Sequence, residues 1–365
     1  MLSPFLVVGV GGSGGKTVRG IRKSLLLQLE QAGWDEGLPE AWQFLHIDSP
    51  VSQDGVDFPA PLLPLSDYLS LVPAGVSYSI VHGSLKNKID GGAVADIEKV
   101  LPSPDDVTVP IYMGAGAFRA IGRTISAASL GQIQNKVSAV ISRMNTASAT
   151  GQLGQLSKLL GIEDSGPRMT TGVIISSVAG GSGAGQFLDV AEAIKSASSH
   201  ALWTEDMFAL LYAPDVFANL GQAGIPPNAL GALVETMSGF WNSELSESTA
   251  ALYHGHGLIA STTSKYRVGP AYPYIVGSKN GQVSFGSQNN VYSAVSTSVA
   301  MWMLSRSVQD DLMGYTVTNY QDRAPKLEDL SGLRKTGGHN LTAEPSPFSS
   351  MGFGRVTLGL ERFYE

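Results

Sequence analysis

Three runs of small residues mark places where the backbone itself can do chemistry. They are Gly9-Val10-Gly11-Gly12-Ser13-Gly14-Gly15, Met113-Gly114-Ala115-Gly116-Ala117 and Ala179-Gly180-Gly181-Ser182-Gly183-Ala184-Gly185. Without bulky side chains, consecutive N–H groups stay open to an anion, and a helix beginning at such a loop adds the positive end of its dipole. The chemistry on offer is phosphate binding, and more than one loop suits a polyphosphate gripped from two sides. Glycine is abundant to match, at 43 of 365 residues or about 12% against a usual ~7%.

Other side chains complete the set. Asp48 ends the apolar run at 41–47 and offers a hard oxygen of the kind Mg²⁺ takes while keeping most of its waters. Asn228 and Asn289 each carry donors and an acceptor that can read a purine edge, and Phe285 has a face on which a base can stack. Each also has a plainer role open to it: an early-helix polar residue, a helix cap and a core aromatic, respectively. Lys16 either adds charge near the phosphates or points outward.

Several function classes fall away. With no cysteine there is no disulfide framework, thiolate nucleophile or Cys-ligated metal. Lys plus Arg is 24 and Asp plus Glu 31, so a net charge of −7 without a basic block does not suit nucleic-acid binding. Apolar runs such as 5–10 fall far short of the roughly 18 residues of a membrane span, and nothing at the N-terminus reads as a signal peptide, so the expected location is the cytoplasm. His254-Gly255-His256 is a weak metal pair, and Ser13 and Ser182 sit in glycine loops rather than in a nucleophile elbow. The first loop fits G-x-G-x-x-G with Asp48 as the ribose acid, so an NAD(P)-binding oxidoreductase is one reading, but it leaves the loop at Ala179 unused. The nucleoside-triphosphatase pattern G-x-x-x-x-G-K-[ST] fails by one residue, since the position five before Gly15 is Val10.

These loops need elements to hold them. Apolar runs predict strands at 4–8, 41–47, 107–112, 171–177, 208–212 and 272–277. Helical spacing predicts helices at 16–32, 121–144 and 187–197, one opening at Asn228 behind Pro226-Pro227, and a long one from near Asn289. Strand and helix alternate, which predicts an α/β fold with a doubly wound, mainly parallel sheet and ligands at the carboxyl ends of its strands. The chain divides into a nucleotide-binding domain at 1–288, with excursions near 51–105 and 240–270, and a central helix at 289–312. Residues 313–365 are then the start of a second domain or a short one, with a polar connection at 324–350 and a strand-like pattern at 355–360.

Taken in order, the motifs resemble the tubulin/FtsZ superfamily. Residues 9–18, GVGGSGGKTV, resemble the first phosphate loop of FtsZ, and residues 179–185, AGGSGAG, are similar to the signature loop usually written GGGTGSG. Residues 113–122, MGAGAFRAIG, resemble the γ-phosphate loop, and Asp48 the aspartate that holds magnesium through water. Pro226-Pro227-Asn228-Ala229 and Phe285-Gly286-Ser287-Gln288-Asn289 are similar to the base-contacting motifs ahead of and at the head of the central helix. Ala179, Ser182 and Lys16 depart from the usual glycine, threonine and asparagine, and the two excursions align with nothing in the family.

The resemblance implies a GTPase that binds GTP or GDP with Mg²⁺ and polymerises head to tail with copies of itself. It assigns the nucleotide to Gly11, Gly12, Ser13, Gly14, Lys16, Gly114, Ala115, Gly116, Ala117, Gly180, Gly181, Ser182, Gly183, Ala184, Asp215, Asn228, Phe285 and Asn289, and the metal to Asp48. The catalytic acids, delivered to the next subunit from a loop after the central helix, would be Asp310, Asp311 and Asp322. A solvated helix end is the plainer reading of these aspartates. A scaffold that holds nucleotide without turning it over is the non-enzymatic alternative.

Overall fold

The apolar run near the start becomes strand β1 (Phe5–Val10), buried throughout, and the glycines that stop it open helix α1 (Gly11–Gln31). The computed structural model describes residues 1–55, 57–87, 101–163, 166–199, 201–241, 268–323 and 348–353. β2 (Trp42–Asp48), β3 (Tyr68–Ser70), α2 (Tyr78–Lys86), α3 (Arg119–Ala128), α4 (Leu130–Met144) and α5 (Ala147–Leu159) follow. β4 (Thr171–Ser177) leads into α6 (Gly181–Ala197), and β5 (Phe208–Tyr212) is followed by α7 (Ile225–Trp241). β6 (Tyr272–Val276) precedes α8 (Gln288–Leu304), α9 (Arg306–Arg323) and β7 (Ser349–Ser350).

The strands form one sheet in the order β3-β2-β1-β4-β5-β6-β7, with every neighbouring pair parallel. This is the doubly wound α/β fold expected. Alternate strand residues feed two cores, as a sheet covered on both faces requires. Phe5 and Val7 join Val18 and Ile21 of α1 and Val295 of α8 in one core. Leu6 and Val8 join Ile125 of α3, Val137 of α4 and Val190 of α6 in the other. β1 lies between β2 and β4, so the chain leaves it in both directions and a crevice opens at its carboxyl end.

Three expectations need correction. No strand forms at 107–112: the segment holds short 3₁₀ turns at Pro104–Asp106 and Ile111–Met113. Pro110 has no N–H to give a ladder, and the edge of β2 is taken by β3, which comes from the excursion expected to be irregular. The helix expected over 121–144 is two helices, because Ser129 leaves helical geometry at φ −111° and ψ 9°. The central helix ends at Leu304, where Ser305 turns extended, and what was expected to be a loop after it is helix α9. The strand-like pattern at 355–360 and the His254/His256 pair lie outside the described residues.

α8 links the two ends of the sheet. Near its start the Tyr292 hydroxyl donates to Ser13 Oγ at 3.2 Å, beside the carboxyl end of β1. Near its finish the Trp302 ring packs 5.2 Å from Phe5, at the amino end of the same strand. Its 17 residues span about 25 Å.

Candidate functional site

The three glycine-rich loops converge at the carboxyl ends of β1 and β4. Gly11, at φ +73°, has no room for a side chain: a Cβ there would lie 2.7 Å from the Gly183 nitrogen, so the first and second loops touch backbone to backbone. The Gly181 N–H donates to the Gly116 carbonyl at 3.0 Å, which ties the second loop to the third. Ser176 Oγ donates to the Val10 carbonyl at 3.1 Å. A cavity of 660 Å³ opens over this junction, walled by Gly12, Asp48, Gly114, Ala115, Gly116 and Ser182 and, on one side, by residues 50–55. Gly14, Gly183 and Ala184 are buried beneath it, supporting rather than lining the wall.

Asp48 is buried, with Oδ1 accepting the Ser49 N–H at 2.7 Å and Oδ2 lying 3.7 Å from His46 Nε2. His46 Nε2 sits 3.2 Å from the Gly11 carbonyl, so the same residue braces the first loop from below. Ser49 Oγ is 3.1 Å from Ser182 Oγ and accepts from Gln186 Nε2 at 2.8 Å. Among the described residues no three acids or histidines form a metal cage. A buried carboxylate at the wall of a glycine-lined cavity suits a cation that brings waters and further oxygens of its own.

Under the first loop, Tyr212 shares a 2.6 Å hydrogen bond with Thr17, and its ring meets Tyr292 edge-on at 5.1 Å. Burial pushes both phenols up, Tyr292 to about 12 and Tyr212 further still. Both hydroxyls therefore stay protonated and hold the floor of the loop.

Asn228 is held by backbone on three sides. Its Nδ2 donates to the Ala117 carbonyl at 2.8 Å and to the Ala179 carbonyl at 3.0 Å, while Oδ1 accepts the Arg119 N–H at 3.2 Å. Both amide hydrogens and one acceptor position of the oxygen are engaged by backbone. It clamps the second loop to the third.

A family model described as "Tubulin like" matches residues 6–365. The chain belongs to the tubulin-like family. No curated protein matches it. Among solved structures it is similar to CetZ from Methanosaeta thermophila, at 12% identity and TM-score 0.44 over 88% of this chain and 59% of that one. It is also similar to a GTPγS-bound protofilament of CetZ2 from Haloferax volcanii, at 12% identity and TM-score 0.39, covering 83% and 58%. A GTPγS-form protofilament of TubZ from Bacillus thuringiensis serovar israelensis matches at 14% identity and TM-score 0.36, covering 82% and 56%. The tubulin-like chain thus spans under two thirds of the length of these structures.

The remaining expected residues of this tubulin-like chain separate into groups. Asp215 Oδ2 accepts from the Ser278 N–H and hydroxyl, both at 2.8 Å, while its buried Oδ1 has no partner. Asn289 Nδ2 donates to the Asp57 carbonyl at 3.2 Å. Phe285, the expected base stacker, instead packs 6.2 Å from Phe353 and lines a separate cavity with Val291 and Met351. Lys16 does not line the loop cavity; its ammonium lies 3.4 Å from Asp54 and 3.2 Å from Asp57.

Asp310 and Asp311 lie on α9, at the opposite end of the sheet from the loops. There Gln309 Oε1 accepts the Ser3 N–H at 3.1 Å and Arg306 Nη1 donates to the Met1 carbonyl at 3.2 Å. Asp310 is paired with Arg168 and, at 2.7 Å, with Arg306; these two guanidinium groups hold its carboxyl below the usual range. Asp311 borders an apolar cavity with Trp302 and Tyr315. Asp322 lies on the same helix, with its side chain outside the described residues.

Sequence reasoning missed Asp54, Asp57 and Arg19. The one available signal was Lys16, Arg19 and Lys23 at helical spacing on α1, a basic stripe that needed acidic cover. Among the described residues no helix is long and apolar enough to cross a membrane.

Proposed function

We propose that this chain binds GTP with Mg²⁺ at the three-loop junction, assembles head to tail with copies of itself, and hydrolyses the nucleotide at the contact between them. The observation that carries the reading is the single cavity walled by Gly12, Gly114, Gly116 and Ser182, which brings all three glycine-rich loops together beside Asp48 at the end of β2. Loop N–H groups would take the phosphates, and Ser13 and Ser182 would add hydroxyl donors. Asp215, with one buried oxygen unpartnered, suits the ribose hydroxyls. Asp48 would hold Mg²⁺ through its waters, and the metal when bound neutralises charge on the β- and γ-phosphates.

Separation of the two ends supports the head-to-tail part. From Tyr292, which holds Ser13, α8 runs about 18 Å to its end at Leu304, and the acids of α9 lie beyond that end, so those acids serve a phosphate only on another copy. There Asp311 would orient the attacking water, with Asp310 fixed beside it. One observation favours the non-hydrolysing scaffold as second reading: the Asp310 carboxylate is already committed to Arg168 and Arg306.

Equilibrium binding of GTP, ATP and NAD with Mg²⁺ tests the site. GTP binding in clear preference to both others is expected. NAD binding at least as tight as GTP would overturn it.

A further inference from the structure

The segment following β2 carries an arrangement that the nucleotide site does not explain. Residues 50–55 and 57–60 lie along α1 as a strap and are held there by three basic residues on one face of the helix. Lys16 pairs with Asp54 and Asp57, Arg19 Nη2 donates to the Gly55 carbonyl at 2.9 Å, and Lys23 Nζ donates to the Pro59 carbonyl at 2.8 Å. On the far side, Asn289 donates to the Asp57 carbonyl and Phe58 packs 6.0 Å from Tyr292. Two features are out of balance. The Asp54 carboxylate lies against the first loop, with Oδ2 only 2.8 Å from where a Cβ on Gly12 would sit. That is a negative charge at the mouth of a cradle built for anions. Meanwhile Arg19 is 1% exposed, and its Nε and Nη1 are buried with no hydrogen-bond partner. A buried guanidinium with unmade hydrogen bonds is costly, and the charges of Asp54 and Asp57 act on it without forming an ion pair among the described residues.

We infer that Asp54 is a built-in competitor for the phosphate cradle and that Arg19 is its alternative partner: an incoming phosphate displaces the Asp54 carboxylate from Gly12 onto the unmade N–H groups of Arg19. The strap then has two seats, one over the loop and one deeper on α1, and nucleotide selects the second because two anions cannot share the cradle. The inference rests on the nucleotide reading above and adds to it a charged group that sets affinity from outside the phosphate contacts.

The test is a double-mutant cycle read by binding of a fluorescent GTP analogue in Mg²⁺. Asp54→Asn removes the competitor from an exposed position and leaves Lys16 paired with Asp57, so folding is not at risk. Its dissociation constant is expected to fall by about fivefold. Arg19→Met removes the second seat and is expected to weaken binding by about fivefold in the wild-type background, with no effect once Asp54 is neutral. Weaker binding by Asp54→Asn would make Asp54 a metal or nucleotide ligand and overturn the inference. An Arg19→Met effect of equal size in both backgrounds would make Arg19 merely structural and overturn it too. In both cases wild-type GTP binding stands. Failure of every form, wild type included, to bind the analogue would overturn this inference together with the nucleotide reading.

Discussion

The side-chain amide of Asn228 donates to the carbonyl of Ala179 at 3.0 Å, joining a helix to a glycine-rich loop 49 residues away. With its bonds to Ala117 and Arg119, this makes the asparagine a brace between two loops.

Replacing it should therefore cost affinity without changing preference. Asn228→Ala leaves two carbonyls and one N–H unmatched, worth about 1–3 kcal/mol. GTP and ATP should each bind about tenfold more weakly by equilibrium titration, with their ratio unchanged. A selective loss of GTP would restore the base-reading role.

Close packing of the loops makes a second expectation. A Cβ on Gly122 of α3 would collide with the Gly181 carbonyl and lie 3.2 Å from Ser182 Cα. Gly122→Ala should destabilise the fold by about 1–3 kcal/mol, seen in chemical denaturation, and weaken nucleotide binding as the second loop shifts. An unchanged midpoint and affinity would mean the loops have slack that the geometry denies them.

Much of this was legible in the sequence because strands ending in glycine announce themselves. The runs that became β1, β4 and β5 are buried, apolar and punctuated, so their ends were placed within a residue or two. Asn228 could be picked out by motif, yet its partners lie 111 and 49 residues away, and only the folded chain decides where three polar groups point. β3 is three residues long, too short for a period to register, and was lost inside a polar excursion. The acids Asp54 and Asp57 were hidden the same way: one aspartate among Ser, Gln and Gly looks like any surface loop until Lys16 is found beside it.

Alkaline pH offers a third check. The Tyr292 phenol moves from an ordinary value of 10.0 to about 12 on burial, so the folded state keeps a proton that the unfolded state releases. Its contribution to stability is whole below pH 10 and is lost as pH rises toward 12. Denaturation midpoints should fall across that window, and less steeply in Tyr292→Phe. An identical pH profile for the variant would contradict the buried hydroxyl.

The acids of α9 separate by their surroundings. Asp311→Asn should lower GTP turnover by about a hundredfold while leaving GTP affinity unchanged, because it acts on a neighbour's nucleotide. Asp310→Asn should mainly loosen α9 from Arg168 and Arg306, by at most about 1 kcal/mol for so exposed a cluster. Loss of GTP affinity in Asp311→Asn would place it at its own chain's site, against the fold.

Phosphate release from GTP, followed against protein concentration with Mg²⁺ present, tests the central claim most directly. If the loop cavity of one copy is completed by α9 of the next, turnover per chain should be negligible below a threshold concentration and rise steeply above it. A rate per chain that is the same at every concentration would show that each copy hydrolyses alone, and the head-to-tail account would be wrong.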